Sequence, residues 1–311
     1  MTITKTGINK VVPEKPVEAV GNWWRKVVEA GPYLHSLDEI RDFNENWGAL
    51  TAEPGAVDYR EMKADGVEVM WIEPHGCDQS RVLLCMHGGG FFSGSMYTHR
   101  KLFGHFAKQA GCRALSVNFR RSPEHQHPAQ VNDTLAVYKW LLNQGIQPRH
   151  IALLGDSAGG GLSITTLLLA RDKGLPMPAA AMPFSGWFDM EVTGESAITN
   201  HGNDHLFTRE AILGIAAMVL GENGNAKDPY ISPLYADLKG MPPIYLQVGD
   251  QELLLDDNRR LAALAKRAGV EIKLDIFPGM QHTWHMAAGR APEANEAIAR
   301  YVAWVKPKLG L

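Results

Sequence analysis

The sequence predicts an α/β protein whose mostly parallel sheet carries helices on both faces. Three observations lead there. Strand-like and helix-like runs alternate from residue 81 to residue 305; two Gly-rich turns each follow an apolar strand run directly; and 45 % hydrophobic residues in a 311-residue chain suffice for one large core.

The elements follow from period and punctuation. Near the start, Val20, Trp23, Trp24, Val27 and Val28 fall at helical spacing, and Leu37, Ile40, Phe43 and Trp47 continue the apolar pattern. Residues 57–75 read as an antiparallel strand pair around Asp65-Gly66, a dipeptide suited to a tight turn. The alternation then runs through 81–86, 100–110, 112–119, 129–143, 150–155, 158–171 and 178–184. It resumes at 243–248, 255–268, 271–277 and 292–305. Between Ser185 and Ile244 lies a long insertion with a helix from Arg209 to Leu220, started by Thr208 as N-cap and closed by Gly221. Asp256 or Asp257 is expected to cap the helix that carries Leu261, Leu264 and Ala268. The strand at 271–276 comes last and is therefore expected at a sheet edge with unpaired backbone groups.

Composition narrows the function classes. A net charge of −3 with 21 % charged residues gives no basis for binding nucleic acid or an anionic membrane surface. Cys77, Cys85 and Cys112 are odd in number and lack metal spacing, so reduced thiols and a cytoplasmic setting are expected. Met1 to Pro16 lacks an apolar signal core, and no run reaches membrane-spanning length.

The most informative stretch is Gly155-Asp156-Ser157-Ala158-Gly159, between an apolar strand run and an apolar helix run. The flanking glycines permit a sharp turn that holds the Ser157 hydroxyl above the sheet, near the start of the following helix. Alone, the pattern could equally be a helix N-cap. Some seventy residues earlier, His87-Gly88-Gly89-Gly90-Phe91-Phe92 follows the strand run Val82 to Met86, where a loop of backbone N–H groups for an oxyanion is expected. A serine nucleophile on such an elbow requires an acid and then a histidine downstream. Of the 12 histidines, only His282 and His285 follow the candidate acid loop, and His282, in a loop after the 271–276 strand, is the expected base. His285 reads as a loop or pocket residue. Asp250, Glu252, Asp256 and Asp257 compete for the acid, with Asp250 also suited to a turn. His125-Gln126-His127 lacks further ligands nearby and reads as a solvated, Pro-flanked loop rather than a metal site.

Taken together, these motifs resemble the hormone-sensitive-lipase-like carboxylesterases, bacterial family IV of the α/β-hydrolase superfamily. The resemblance runs through essentially the whole chain: His87 to Phe91, Gly155 to Gly160, Ser232 to Leu238, and Gly279-x-x-His282. The family's Gly-x-x-acid-x-Leu-x-Asp pattern is matched by Gly249, Glu252, Leu254 and Asp256, which points to Glu252 as the acid. Asn118 to His125 stands where the family has Asp-Tyr-Arg-Leu-Ala-Pro-Glu-His and differs at four positions, which bears on local hydrogen bonding.

The resemblance implies an α/β-hydrolase fold with an eight-stranded sheet and a helical cap. Residues 1–50 and 187–228 would form the cap, and 51–186 and 229–311 the catalytic core. It implies a carboxylesterase with Ser157, Glu252 and His282 as catalytic residues and Gly88, Gly89, Gly90 and Ala158 around the oxyanion, supported by His87 and Asp156. No cofactor or metal is called for. Phe91, Phe92, Trp187 and Trp284 are candidates for an apolar pocket, or for core. The expected partner is a small-molecule ester or lactone. Bulky Trp23, Trp24 and Trp187 favour short acyl chains. A homodimer is expected through the last strand, 271–276, where Glu271, Lys273 and Asp275 could pair across a two-fold. An amidase or deacetylase, or a non-catalytic small-molecule receptor, on the same fold are the rival readings.

Overall fold

A computed structural model describes residues 15–311. The stretch from Met1 read as lacking a signal core therefore falls almost wholly outside the described residues, as does the start of the first cap segment. Eight strands form one sheet: β1 (Val57–Ala64), β2 (Val67–Pro74), β3 (Asp78–Met86), β4 (Cys112–Asn118), β5 (Ile151–Asp156), β6 (Ala180–Phe184), β7 (Ile244–Gly249) and β8 (Ile272–Phe277). Their order is β1-β2-β4-β3-β5-β6-β7-β8, and only β2 runs against the others. The β1–β2 hairpin turns at Asp65 and Gly66, both at positive φ, the conformation such a two-residue turn requires.

The helices are α1 (Glu18–Ala30), α2 (Leu37–Glu45), α3 (Met96–Ala110), α4 (Ala129–Asn143), α5 (Ser157–Asp172), α6 (Ser196–Thr199), α7 (Arg209–Leu220), α8 (Leu255–Arg267) and α9 (Pro292–Leu309). Strand pleating sends alternate side chains to opposite faces. Val82, Leu84 and Met86 join one core with residues of α4, α5 and α8, whereas Leu83 and Cys85 join the other with residues of α3 and α9.

Two helix starts differ from the sequence expectation. α3 begins at Met96 rather than near residue 100, because Ser95 accepts from the Tyr97 and Thr98 N–H groups and Thr98 Oγ1 accepts from the Ser95 N–H. α8 begins at Leu255 with Leu254 at the cap position, so neither Asp256 nor Asp257 is the N-cap. Both carboxylates instead reach other segments, accepting from the Ser196 and Phe188 N–H groups respectively. α7 has the expected bounds, with Thr208 accepting from the Ala211 N–H and Gly221 at the C-cap.

His127 is also placed differently. Its Nε2 sits 3.0 Å from Asp228 with only 8 % of the side chain exposed, so it ties its loop to the insertion rather than lying in solvent. Asn118 uses its amide to reach Glu68.

β8 lies at the sheet edge, paired only with β7. Its charges are occupied within the protomer: Glu271 by Lys308, and Asp275 by Tyr245 and Arg300, while Lys273 covers the Tyr245 ring. Each of these charges thus has a partner within the protomer. Among the described residues, no helix is long and apolar enough to cross a membrane.

The strand order reverses direction at β3. The chain runs from β3 outward to β4, then returns to place β5 on the other side. A crevice opens outside the carboxyl ends of strands at such a switch point, and the segments that follow β3 and β5 there are the Gly-rich loop and Ser157. These two segments meet without room to spare. A Cβ on Gly159 would lie 2.1 Å from the Met86 carbonyl oxygen at the end of β3. Gly159→Ala should therefore destabilise the fold by about 3 kcal/mol or more, or prevent folding. Gly31→Ala, at negative φ with open space around it, should change stability by less than about 0.5 kcal/mol. Denaturant unfolding of both variants checks the pair; equal stabilities would refute the packing argument.

Candidate active site

Ser157 is the first residue of α5 and has φ +53°, a left-handed conformation unusual for a side chain larger than hydrogen. The turn lifts its hydroxyl to within 3.0 Å of His282 Nε2. His282 Nδ1 lies 2.8 Å from Glu252 Oε2. The carboxylate accepts the Nδ1 proton, which fixes the tautomer that leaves Nε2 free to accept from the serine. All three side chains are buried.

Glu252 is itself fixed at its other oxygen, which accepts from the Gly249 N–H at 2.6 Å and the Ser185 hydroxyl at 2.8 Å. The competing carboxylates serve elsewhere. Asp250 accepts from the Gly279 N–H and the Gln251 amide, as a turn residue does. Asp256 holds Ser196 and Arg259. Asp257 is fully buried, and desolvation, with Asp189 nearby, pushes its carboxyl up to about 8 despite the hydrogen bond from Phe188.

Burial alone would lower the basicity of His282. The hydrogen bond and charge of Glu252, with smaller contributions from Asp204 and Asp156, outweigh it and hold the imidazole above its ordinary value. His285 is a core residue: burial drives it well below the ordinary imidazole range, and it bonds Gln247 and packs on Phe184 and Trp284.

The Gly-rich loop is built from positive φ values at Gly89 (+110°), Gly90 (+60°) and Phe91 (+63°). Gly88 is corrected: its N–H donates to Asp156 Oδ1 at 2.9 Å and is unavailable to an oxyanion. Among the described residues, the Gly89 and Gly90 N–H groups have no partner within the protein. No side chain caps the start of α5, where Ala158 sits, so its first N–H groups face the site as open donors. His87 supports the loop by donating from Nδ1 to the Gly88 carbonyl at 2.7 Å and stacking on Phe119. With its ring buried, it is held neutral, pushed down to about 3.

A cavity of about 170 Å³ holds Ser157, His282, Gly89 and Gly90 on its surface. The N-terminal helices supply Trp24, Val27 and Trp47, and the insertion supplies Leu206, Phe207 and Ile215. Of the four aromatic candidates, Phe92 lines this cavity. Phe91, Trp187 and Trp284 do not: Phe91 packs on Phe119 and Trp187, Trp187 donates to the Asp189 carbonyl, and Trp284 packs on Phe277 and His285. Trp23 stacks on Phe43 and is likewise absent from the lining.

Several contributing residues escaped the sequence reading. His99 reaches Asp156 at 3.2 Å in a fully buried pair, bonding Thr98 through its other nitrogen. Ser185 could have been found from its place directly after β6, beside the strand whose end carries Glu252. Asp204 accepts from the Leu253, Leu206 and Phe207 N–H groups, joining the insertion to the acid loop. No local pattern marks it.

Known proteins resemble this chain over most of their length. A family model described as the α/β hydrolase fold matches residues 83–286. An "Acetyl-hydrolase" of Streptomyces hygroscopicus is 35 % identical over 289 residues, covering 93 % of this chain and 94 % of that protein. An "Esterase" of Acinetobacter venetianus is 34 % identical, covering 78 % of this chain and 80 % of that one. Among solved structures, an esterase from the bacterial hormone-sensitive lipase family superposes with a TM-score of 0.92 at 40 % identity, covering 96 % of this chain and all of that one. An esterase crystal soaked with p-nitrophenyl butyrate gives 0.86 at 34 % identity, with the same coverage. With such extents of agreement in both sequence and structure, the chain belongs to the hormone-sensitive-lipase-like carboxylesterase family of the α/β-hydrolase fold.

Proposed function

We propose that the protein hydrolyses carboxylic esters of small molecules, lactones included, through an acyl-enzyme formed on Ser157. The observation that carries this reading is the continuous hydrogen-bonded path from Ser157 through His282 to Glu252, opening into a small apolar cavity beside unpaired backbone donors. His282 Nε2 takes the hydroxyl proton as Ser157 Oγ adds to the ester carbonyl. The resulting oxyanion is held by the Gly89, Gly90 and Ala158 N–H groups. Collapse expels the alkoxide, which leaves as alcohol with the proton from His282; water then repeats the sequence and releases the acid. The cap reading of α1, α2 and the insertion is supported by the walls they give this cavity.

Cavity size favours small acyl groups, since a volume near 170 Å³ is on the scale of roughly 150 Å³ apolar cavities that admit a benzene ring. Wild-type protein is therefore expected to hydrolyse p-nitrophenyl acetate and butyrate faster than the laurate. Ser157→Ala should lose about 10⁴-fold or more of this activity while keeping its circular dichroism. Undetectable wild-type hydrolysis across an ester and lactone panel would reject the reading. Turnover by an amide panel alone would reassign it to an amidase.

Activity should fall as pH drops through the raised His282 value, because only the neutral imidazole accepts the serine proton. The acid limb of kcat/KM is accordingly expected at an apparent pKa above the ordinary 6.5. Glu252→Gln should move that limb down and lower kcat by orders of magnitude, whereas Asp250→Asn should do far less. A reversed ranking would displace the acid by two positions.

We further propose a homodimer through the open edge of β8. Support comes from its single sheet neighbour and from Ile276, 37 % exposed beside that edge. Light scattering at micromolar concentration should give about twice the 34.2 kDa chain mass, reduced to one chain mass in Ile276→Glu. A wild-type monomer, or a dimer unaffected by that change, would refute this interface.

A further inference from the structure

We propose that Arg41 and Asn44, on helix α2 of the N-terminal segment, are positioning residues for the oxyanion loop; this rests on the ester-hydrolysis reading above. Three successive residues of that loop, Gly89 to Phe91, have positive φ; glycine adopts it freely, but at Phe91 it is strained backbone, which persists only where its surroundings over-determine it. From the core side, Asp156 holds the Gly88 N–H and Ser122 donates its N–H to the Phe91 carbonyl. From the other side the holding groups belong to α2. Arg41 donates from Nε to the Phe92 carbonyl at 2.8 Å and from Nη2 to the Ser122 carbonyl at 2.9 Å, so it spans the loop and the segment that fastens it. Its guanidinium is oriented by a two-pronged contact with Glu124 at 2.7 Å and is only 12 % exposed.

One turn along α2, Asn44 donates from Nδ2 to Ser93 Oγ at 3.2 Å, and that hydroxyl donates to the Gly89 carbonyl at 3.1 Å. The neighbouring Glu45 accepts from Ser95 Oγ at 2.9 Å. Gly89 is thereby gripped through its carbonyl, the group that sets the plane of the peptide carrying the Gly90 N–H. Freed from α2, the loop would keep its anchors at Gly88 and Phe91 and its own bonds from the Phe92 and Ser93 N–H groups to the Gly89 carbonyl, but this turn would no longer be held on its outer side and the donors it carries would lose their aim. Displacement of about 1 Å at a reacting centre can cost up to about 100-fold in rate. Arg41 does not line the cavity, so its loss should act on the transition state rather than on substrate binding.

The test compares Arg41→Met, Arg41→Lys and Asn44→Ala with wild type, using p-nitrophenyl butyrate kinetics and two inhibitors. A short alkyl trifluoromethyl ketone accepts Ser157 Oγ at its carbonyl carbon, with the hydroxyl proton passing to His282 and the oxyanion facing the loop. The matching methyl ketone occupies the cavity without that addition. In Arg41→Met we expect kcat to fall about tenfold or more with KM within a factor of about two. The trifluoromethyl ketone should weaken in parallel with kcat and the methyl ketone should not. Arg41→Lys, which can still reach the Phe92 carbonyl, should recover part of the loss. Unchanged kcat, a rise in KM alone, or equal weakening of both ketones would overturn the proposal and make α2 a cavity wall only. If Arg41→Met fails to fold, Arg41→Lys decides between the same outcomes, while Asn44→Ala, at a residue that lines the cavity, is judged only on whether the trifluoromethyl ketone weakens more than the methyl ketone. Wild-type turnover tests the ester reading separately, since the proposal is judged on variant-to-wild-type ratios.

Discussion

α5 approaches the end of β3 so closely that no Cβ fits between them, and this constraint places the rest of the site. Gly155 and Gly159 lie against each other and against the Met86 carbonyl. The strand-to-helix turn is therefore compressed, and Ser157 is forced to its positive φ at the apex. The same approach brings the open N–H groups at the start of α5 alongside the loop that leaves β3. Ser157 and the Gly-rich loop thus follow two adjacent parallel strands at the point where the sheet reverses its winding. Asp156 fastens the junction, with one carboxylate held between the Gly88 N–H and His99.

The electrostatics follow from exclusion of water. Glu252 and His282 are buried, so their interaction is stronger than it would be in solvent, and an unpaired charge there would be costly. Each oxygen of Glu252 has a donor, and each nitrogen of His282 has a partner. Four non-glycine residues at positive φ surround this chain of bonds: Phe91, Ser157, Ser185 and Thr283. Their placement is consistent with strain concentrated where side chains must be aimed rather than merely packed.

The N-terminal segment does more than cover the cavity. Trp24 donates from its indole to the His282 carbonyl at 2.8 Å, while Arg41 and Asn44 hold the loop on the other side of Ser157. The inserted segment contributes from the middle of the chain, with Asp204 bonded to the Leu253 N–H next to Glu252. Both segments therefore contact residues that hold His282, Glu252 and the Gly-rich loop as well as the cavity beside Ser157. Dynamics of these segments would be felt in the chemistry and not in access alone.

Much of this was determined by the sequence itself, because the signals are local. Alternating apolar runs give the strands and helices; Asp65-Gly66 gives the hairpin; Thr208 and Gly221 bound α7. Gly155 to Gly159 and His87 to Phe91 carry their chemistry in contiguous residues, since each is a single turn with one backbone requirement. Choosing Glu252 over three neighbouring carboxylates needed the family pattern, because within nine residues of one loop any of the four could face a histidine thirty positions away. Only the tertiary structure decided what depends on packing between distant segments. It buried Phe91, Trp187 and Trp284 and left Phe92 and Trp24 at the cavity. It turned the Gly88 N–H toward Asp156, and it brought His99, Ser185, Asp204, Arg41 and Asn44 to the site. A side chain's apolarity or charge is written in the sequence, but the group it meets is fixed only when the sheet closes and the helices dock.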